Sequence, residues 1–217
     1  MDEIVLIDKP VGITSFDVIR RLRKELNIKK IGHAGTLDPL ASGLMVIGVG
    51  AGTKKLSDYI KLPKEYLAEI FVGERRSTGD MEGVVLEEKE VTELSEEEIK
   101  STLKEMVGTL TLPVSAYSAI KKNGVPFYKR ARQAEREGGS VEDVPLREME
   151  VQEAEYKGHT CADGRCVVAV RFYVGSGTYI RSLAEEFGKR LDYPATLKNL
   201  RRTKVGEFDI KNARPLL

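Results

Sequence analysis

One aspartate stands alone among glycines. In KKIGHAGTLDPLASGLMVIGVG, residues 29–50, Asp38 is the only acid; Gly32, Gly35 and Gly43 lie around it and Pro39 follows it. Asp-Pro is an ordinary turn opener, and that plain role accounts for the pair by itself. A carboxylate can also act as a nucleophile or base, provided it is fixed close to its target and held by a cation. Loop glycines let a substrate backbone approach closely, and an arginine can grip a carboxylate with a two-pronged fork. Arg181 is a candidate for that grip. It sits in GSGTYIRSL, residues 175–183, where the pattern places it in the first turns of a helix behind two glycines. Taken in isolation, a solvated helix arginine is the preferred reading of that position.

Other chemistries lack their residues. GVGAGTK, residues 48–54, resembles a nucleotide loop but fails on spacing. After Gly48 and Gly50 the third glycine of a dinucleotide fingerprint is replaced by Thr53, and Lys54 follows that threonine rather than a glycine. Those glycines are expected to let a strand end and a turn pack closely. With two histidines, His33 and His159, the chain has few bases to offer a hydrolytic triad. It has no H-E-x-x-H and no acidic cluster at metal-binding spacing. Neither a metal nor another cofactor is expected. Cys161 and Cys166 flank ADGR, whose Asp163-Gly164 pair signals a two-residue hairpin turn, so the two thiols should face each other across strands. The expected state is reduced, as in a cytoplasmic protein.

The composition, 41% hydrophobic and 32% charged over 217 residues, is that of a globular chain able to bury a sizeable core. No apolar run reaches membrane-spanning length, and the acids of MDEIVLIDKP precede its apolar run, the wrong order for a secretory signal. A cytoplasmic monomer is the expectation. Net charge is +1, but residues 82–105 carry nine acids against three bases, net −6, which leaves +7 on the rest. Basic clusters recur at 29–30, 54–55, 121–122, 128–136 and 198–204. One acidic face on an otherwise basic protein suits a phosphate-backbone partner, and suits solvated surface charge as well.

The elements that must position Asp38 and Arg181 follow from periodicity. Residues 3–8 read as a buried strand. A helix capped by Ser15 should run to Leu26 with Phe16, Val18, Ile19, Leu22 and Leu26 on one face. A strand follows the glycine loop from Leu44, then a short helix near 54–60. In the strand over 65–73, Tyr66 and Ala68 share one face, Leu67 and Glu69 the other. Ser95 and Glu98 form a capping box for a helix that leaves at Gly108. Residues 113–146 hold prolines at both ends, a turn at Asn123-Gly124 and a basic helical patch. With few large apolar residues after Tyr128, this excursion is expected to order on a partner. A long hairpin over about 148–174 leads to a helix opening near Thr178, with Ile180, Leu183, Ala184 and Phe187 inward. Strands, helices and hairpins in this sequence, without a repeat, predict an α+β fold on a mixed, mainly antiparallel sheet flanked by helices.

GHAGTLDPLASGLM, residues 32–45, resembles the signature of the TruB family of tRNA pseudouridine synthases. DKPVGITS (8–15), KEYLAEIFVG (64–73), PVSAYSAIKKNGVPFYKRAR (113–132), GTYIRSLAEEFG (177–188) and LRRTKVG (200–206) resemble further family motifs, in family order along essentially the whole chain. The resemblance implies a pseudouridine synthase fold with an RNA-gripping thumb at about 113–146, in a single catalytic domain without the C-terminal RNA-binding module of most relatives. It implies isomerisation of uridine 55 in the tRNA T loop by base flipping, with the T arm as partner, no membrane and no obligate protein partner. It makes Asp38 the nucleophile, Arg181 its ion-pair partner, and Tyr66 the side chain packed on the extracted uracil, able to assist proton removal from C5. His33 would lie against the disturbed RNA loop, Lys9 and Pro10 would support the site wall, and Leu200 would line the base pocket. Gly35 and Thr36 would belong to the substrate-binding surface, while Lys121, Lys122, Lys129 and Arg132 would meet phosphates. In GERRSTGDMEG, residues 73–83, Arg76 and Ser77 stand where the family has Thr and Asp, whereas Thr78, Asp80 and Gly83 match. A guide-dependent synthase and a non-catalytic RNA-binding protein are the rival readings.

Overall fold

The computed structural model describes residues 3–115, 117, 121–122, 124–137 and 144–216. Strand β1 (Ile4–Lys9) leads into helix α1 (Ser15–Leu26), β2 (Ile31–His33) and β3 (Ser42–Val49). A 3-10 turn over Gly50–Lys55 precedes α2 (Leu56–Ile60), where the sequence predicted one short helix. Then come β4 (Lys64–Val72), the small hairpin β5 (Glu74–Arg76) and β6 (Val85–Glu88), α3 (Glu96–Glu105) and β7 (Gly108–Pro113). The inserted segment contributes β8 (Lys121–Lys122), β9 (Val125–Pro126) and α4 (Phe127–Arg136). β10 (Leu146–Ala162), β11 (Arg165–Val174), α5 (Ile180–Arg190), β12 (Ala195–Val205), β13 (Phe208–Asp209) and β14 (Arg214–Pro215) complete the chain.

Among the described residues the main sheet runs β14-β1-β3-β12-β4-β11-β10-β7, with β2 added on β3 and β13 on β12. The β1–β14 and β3–β12 neighbours are parallel and the others antiparallel, as the sequence predicted. The β3–β12 junction is short: Ser42 and Gly43 pair with Arg201 and Arg202. That seam joins the two halves of the sheet next to the Asp38 loop.

The strict alternation of β4 and β11 puts Tyr66, Ala68, Ile70 and Val72 with Val168, Val170 and Phe172 on one face. Those residues share one core cluster with Val18, Ile19 and Leu22 of α1, Ile99 and Leu103 of α3, and Ile180, Leu183, Ala184 and Phe187 of α5. A smaller cluster of Ala34, Leu44, Val46, Leu56 and Val205 forms with Tyr59 and Phe208 at its margin. The capping box on α3 is Ser95 with Glu98, as expected.

Three local expectations are corrected. The cap of α1 is Thr14, whose hydroxyl accepts from the Asp17 N–H in a capping box, not Ser15. Phe16 is 59% exposed, and Arg20 and Arg23 lie over its ring; one position past Ser15 and two short of Val18, it sits far enough round the helix from the buried stripe to leave the core. Cys161 and Cys166 are joined in a disulfide rather than reduced. The hairpin register explains it: with Asp163 and Gly164 at positive φ in a two-residue turn, the two cysteines fall directly opposite, Cα atoms 4.1 Å apart. His159 takes no part there; its Nδ1 lies 2.7 Å from the Tyr156 hydroxyl. The expectation for 113–146 falls partly outside the described residues, including Asn123 of the predicted turn.

Candidate active site

The loop between β2 and β3 is pinned from several sides. Ser15, 3% exposed, accepts from the Leu37 N–H at 2.8 Å and donates to the Leu37 carbonyl at 2.9 Å. A side chain predicted to cap its own helix thus closes a ring on the residue before Asp38. The Gly12 N–H donates to the Pro39 carbonyl at 2.8 Å, and Ala41 N–H to the Asp38 carbonyl at 3.1 Å. Lys9, fully buried, donates to the carbonyls of Ile13 at 2.7 Å, Pro10 at 2.9 Å and Pro39 at 3.5 Å. Burial lowers its pKa to about 8; nearby Asp38 opposes that shift and Arg202 adds to it. Pro10 itself is exposed and reaches the site only through its carbonyl.

Asp38 and Arg181, far apart in the chain, meet: Arg181 Nη2 lies 2.9 Å from Asp38 Oδ2. The arginine side chain is 7% exposed and the aspartate 35%, so the cation is buried and the carboxylate faces the open side. The other bonds of the guanidinium hold it in place. Nη1 donates to the Thr78 carbonyl at 3.0 Å, Nη2 to the Tyr117 carbonyl at 3.4 Å, and Asp80 Oδ2 stands 3.7 Å from Nη1. Helix α5 supplies this geometry because its apolar stripe seats it on the sheet and turns Arg181, one residue after the buried Ile180, toward the loop.

Asp80 was not among the predicted site residues, and it is 3% exposed. The Thr78 hydroxyl donates to Asp80 Oδ1 at 2.5 Å and the Glu82 N–H donates to the same oxygen at 3.1 Å. Its match to the TruB motif was the signal available in the sequence. Arg76 and Ser77, the departures from that motif, brace the same turn. Arg76 pairs with buried Glu74 and donates to the carbonyls of Met81 at 3.1 Å and Gly83 at 3.2 Å. The Ser77 hydroxyl accepts from the Val84 N–H at 3.2 Å. Glu185, one turn beyond Arg181, has its pKa raised by burial, against the pull of Arg75 and Arg181.

Tyr66 (8% exposed) and Leu200 (9%) join the main core cluster with Leu37 and Ile180, the chain neighbours of the ion pair. Leu200 also lines a cavity of about 540 Å³ with Val11, Leu40, Leu67 and Ala68, but Tyr66, Asp38 and Arg181 do not line it. His33 is half-buried at the end of β2, and its Nδ1 has no hydrogen-bond partner among the described residues. Burial and then Arg202 lower its pKa, against a weaker opposing pull from the Gly35 backbone. Gly35 has φ +105 and Thr36 is exposed; the carbonyls of both face Arg202. Lys129 is exposed on α4, while the side chains of Lys121, Lys122 and Arg132 lie outside the described residues.

Residues 23–180, which include the Asp38 loop and end one residue before Arg181, match the TruB family pseudouridylate synthase (N terminal domain). The chain belongs to that family. Among its TruB-family relatives, a protein named tRNA pseudouridine synthase B from Endomicrobium trichonymphae is 39% identical over 98% of this chain and 89% of its own length. One of the same name from Desulfotalea psychrophila is 42% identical over 97% of this chain and 84% of its own. The fold is shared with solved structures. A chain of a Cbf5-Nop10-Gar1 complex superposes with a TM-score of 0.71 at 27% identity, covering 98% of this chain. A chain of an H/ACA RNP bound to a substrate RNA containing 2'-deoxyuridine gives 0.70 at 26%, again over 98% of this chain. This chain spans about half the length of those two, 52% and 50%. The pseudouridine synthase fold read from the sequence is therefore the fold observed. No helix among the described residues is long and apolar enough to cross a membrane.

Proposed function

We propose that this chain is a tRNA pseudouridine synthase that isomerises uridine 55 of the T loop, with Asp38 as its nucleophile. The observation that carries the reading is the 2.9 Å Asp38–Arg181 pair, in which a half-exposed carboxylate is held by a buried guanidinium at the end of a loop fixed through Ser15 and Lys9. The reaction breaks the N1–C1′ bond, joins C5 to C1′, and moves a proton from C5 to N1. Nothing is gained or lost, and no electron changes hands.

A paired base is out of reach of any side chain, so the uridine is turned out of its stack. Asp38 attacks the flipped nucleotide at C1′ or C6, the N1–C1′ bond breaks, the loose uracil turns, and the bond to Asp38 breaks again as C5 is joined to C1′, which regenerates the carboxylate. Tyr66 is the aromatic surface offered to that base from β4, and Leu200 is its apolar neighbour from β12. Arg181 fixes the carboxylate and compensates its charge. Lys129 and the basic residues around it supply phosphate contacts that set affinity. The site of action is the cytoplasm, where tRNA is modified. Relatives named tRNA pseudouridine synthase B at 39% and 42% identity favour tRNA over the guide-dependent alternative, whose RNP relative stands at 26%.

The test is carbodiimide-adduct primer extension on an unmodified tRNA transcript, with the wild-type chain beside Asp38→Asn. A new stop at the T-loop uridine with the wild type alone is expected. Turnover by Asp38→Asn refutes the nucleophile, and no stop with either, on tRNA that demonstrably binds, refutes the stand-alone synthase.

A further inference from the structure

Among the described residues Arg202 is the largest fully buried side chain, 1% exposed, and forms no ion pair with a carboxylate. A buried guanidinium without a counter-charge is costly and needs a reason. Among the described residues its partners are all backbone carbonyls, and they flank Asp38: two in the loop before it and one in β3 after it. Nε donates to Leu44 at 2.8 Å, beyond Asp38; Nη2 donates to Gly35 at 3.1 Å and Nη1 to Thr36 at 3.5 Å, before it. The backbone of the same residue lies in the seam of the sheet. Arg202 pairs with Gly43 of β3 on one side and with Tyr66 of β4 on the other. Gly43, at φ +106, leaves no room for a side chain there: a Cβ would lie 2.3 Å from the Arg202 carbonyl oxygen.

One residue therefore touches the strand that carries Tyr66, the loop that carries Asp38 and the strand that follows that loop. A planar guanidinium, with donors on both edges, spans those carbonyls at once; an ammonium has three donors at one point and no fixed fork to hold the two sides at a set distance. We propose that Arg202 is a positioning residue for the reaction: its fork sets the height of the Asp38 loop over the Tyr66 strand, and so the distance between nucleophile and base. The inference rests on the synthase reading for its activity readout but not for its structural one. The uncompensated charge is also felt by its neighbours, since Arg202 contributes to the lowered pKa of Lys9, Lys64 and His33.

The experiment compares wild type with Arg202→Lys, Arg202→Gln and Arg202→Met. Amide hydrogen exchange in the free proteins reports the loop, tRNA binding reports affinity, and single-turnover pseudouridine formation below each melting temperature reports chemistry. Expected for Arg202→Lys and Arg202→Gln are faster exchange confined to residues 34–44, a tRNA Kd within about threefold of wild type, and a rate lower by about 30- to 100-fold, the scale of an ångström-sized misplacement. Arg202→Met is expected to do the same with a lower melting temperature. Wild-type rate or wild-type loop exchange in the folded Lys and Gln variants overturns the proposal, as does a loss of affinity equal to the loss of rate. If neither the Lys nor the Gln variant folds, Arg202 is a folding residue and the proposal is also overturned. An inactive wild type would sink the synthase reading instead, and the exchange data would still decide whether Arg202 sets the loop.

Discussion

Replacing Arg181 by lysine keeps the charge beside Asp38 and removes the fork. In the native site Nη2 serves Asp38 at 2.9 Å while Nη1 serves the Thr78 carbonyl at 3.0 Å and stands 3.7 Å from Asp80. A lysine ammonium can satisfy one of these sides, so one charge-assisted bond is lost, about 1.5–3 kcal/mol. If the loss falls on the placement of Asp38 in the transition state, the rate drops by about 10- to 150-fold. Asp80→Asn, which removes only the more distant pairing of a 3% exposed group, should cost about threefold to tenfold if it acts through Arg181. The assay is single-turnover pseudouridine formation with both single variants and the double variant, at saturating tRNA. Because Asp80 is read as acting through Arg181, Asp80→Asn should cost little in the Arg181→Lys background. Full additivity of the two effects would show that the carboxylates work independently, and the network reasoning would be wrong.

Ser15→Ala leaves the buried N–H and carbonyl of Leu37 without their shared hydroxyl, and should cost about 1–3 kcal/mol in denaturant unfolding and slow the reaction; unchanged stability would refute the pinning role. Glu185 has its carboxyl pKa raised in the fold, so the native state holds that proton more tightly than the unfolded chain, and stability falls as pH rises from the ordinary glutamate range through the raised value. Glu185→Gln should thus gain in melting temperature relative to wild type between pH 4 and pH 8, and a difference that shrinks with pH contradicts the assignment. Wild-type protein denatured without reductant should yield no free thiol, given the Cys161–Cys166 bond. Cys161→Ser with Cys166→Ser should lose at most about 2 kcal/mol, because the closed loop is short and the hairpin already pairs the two positions.

Much of this protein follows from its sequence alone. Apolar spacing placed Ile180, Leu183, Ala184 and Phe187 on the inward side of α5, and the alternation of β4 separated Tyr66 from Leu67. Asp163-Gly164 determined the hairpin turn and with it the opposition of the two cysteines. Asp38 and Arg181 were legible as a pair because their motifs resemble those of the TruB family; taken alone, each also had a plain structural reading. These features are local, or repeat with the period of their own element.

Other features were decided only when distant segments met. Arg202 binds carbonyls more than 150 residues away, and a carbonyl carries no mark in the sequence of what it will accept. Ser15 stands where a cap is expected, yet Thr14 takes that place and frees its hydroxyl for Leu37, 22 residues on. The charge count that placed Arg202 in the basic cluster 198–204 could not foresee that the seam between β3 and β12 would bury it. Side-chain type and spacing dictate which groups can do the chemistry. The closing of the sheet decides which backbone groups hold them, because those bonds join atoms that every residue possesses.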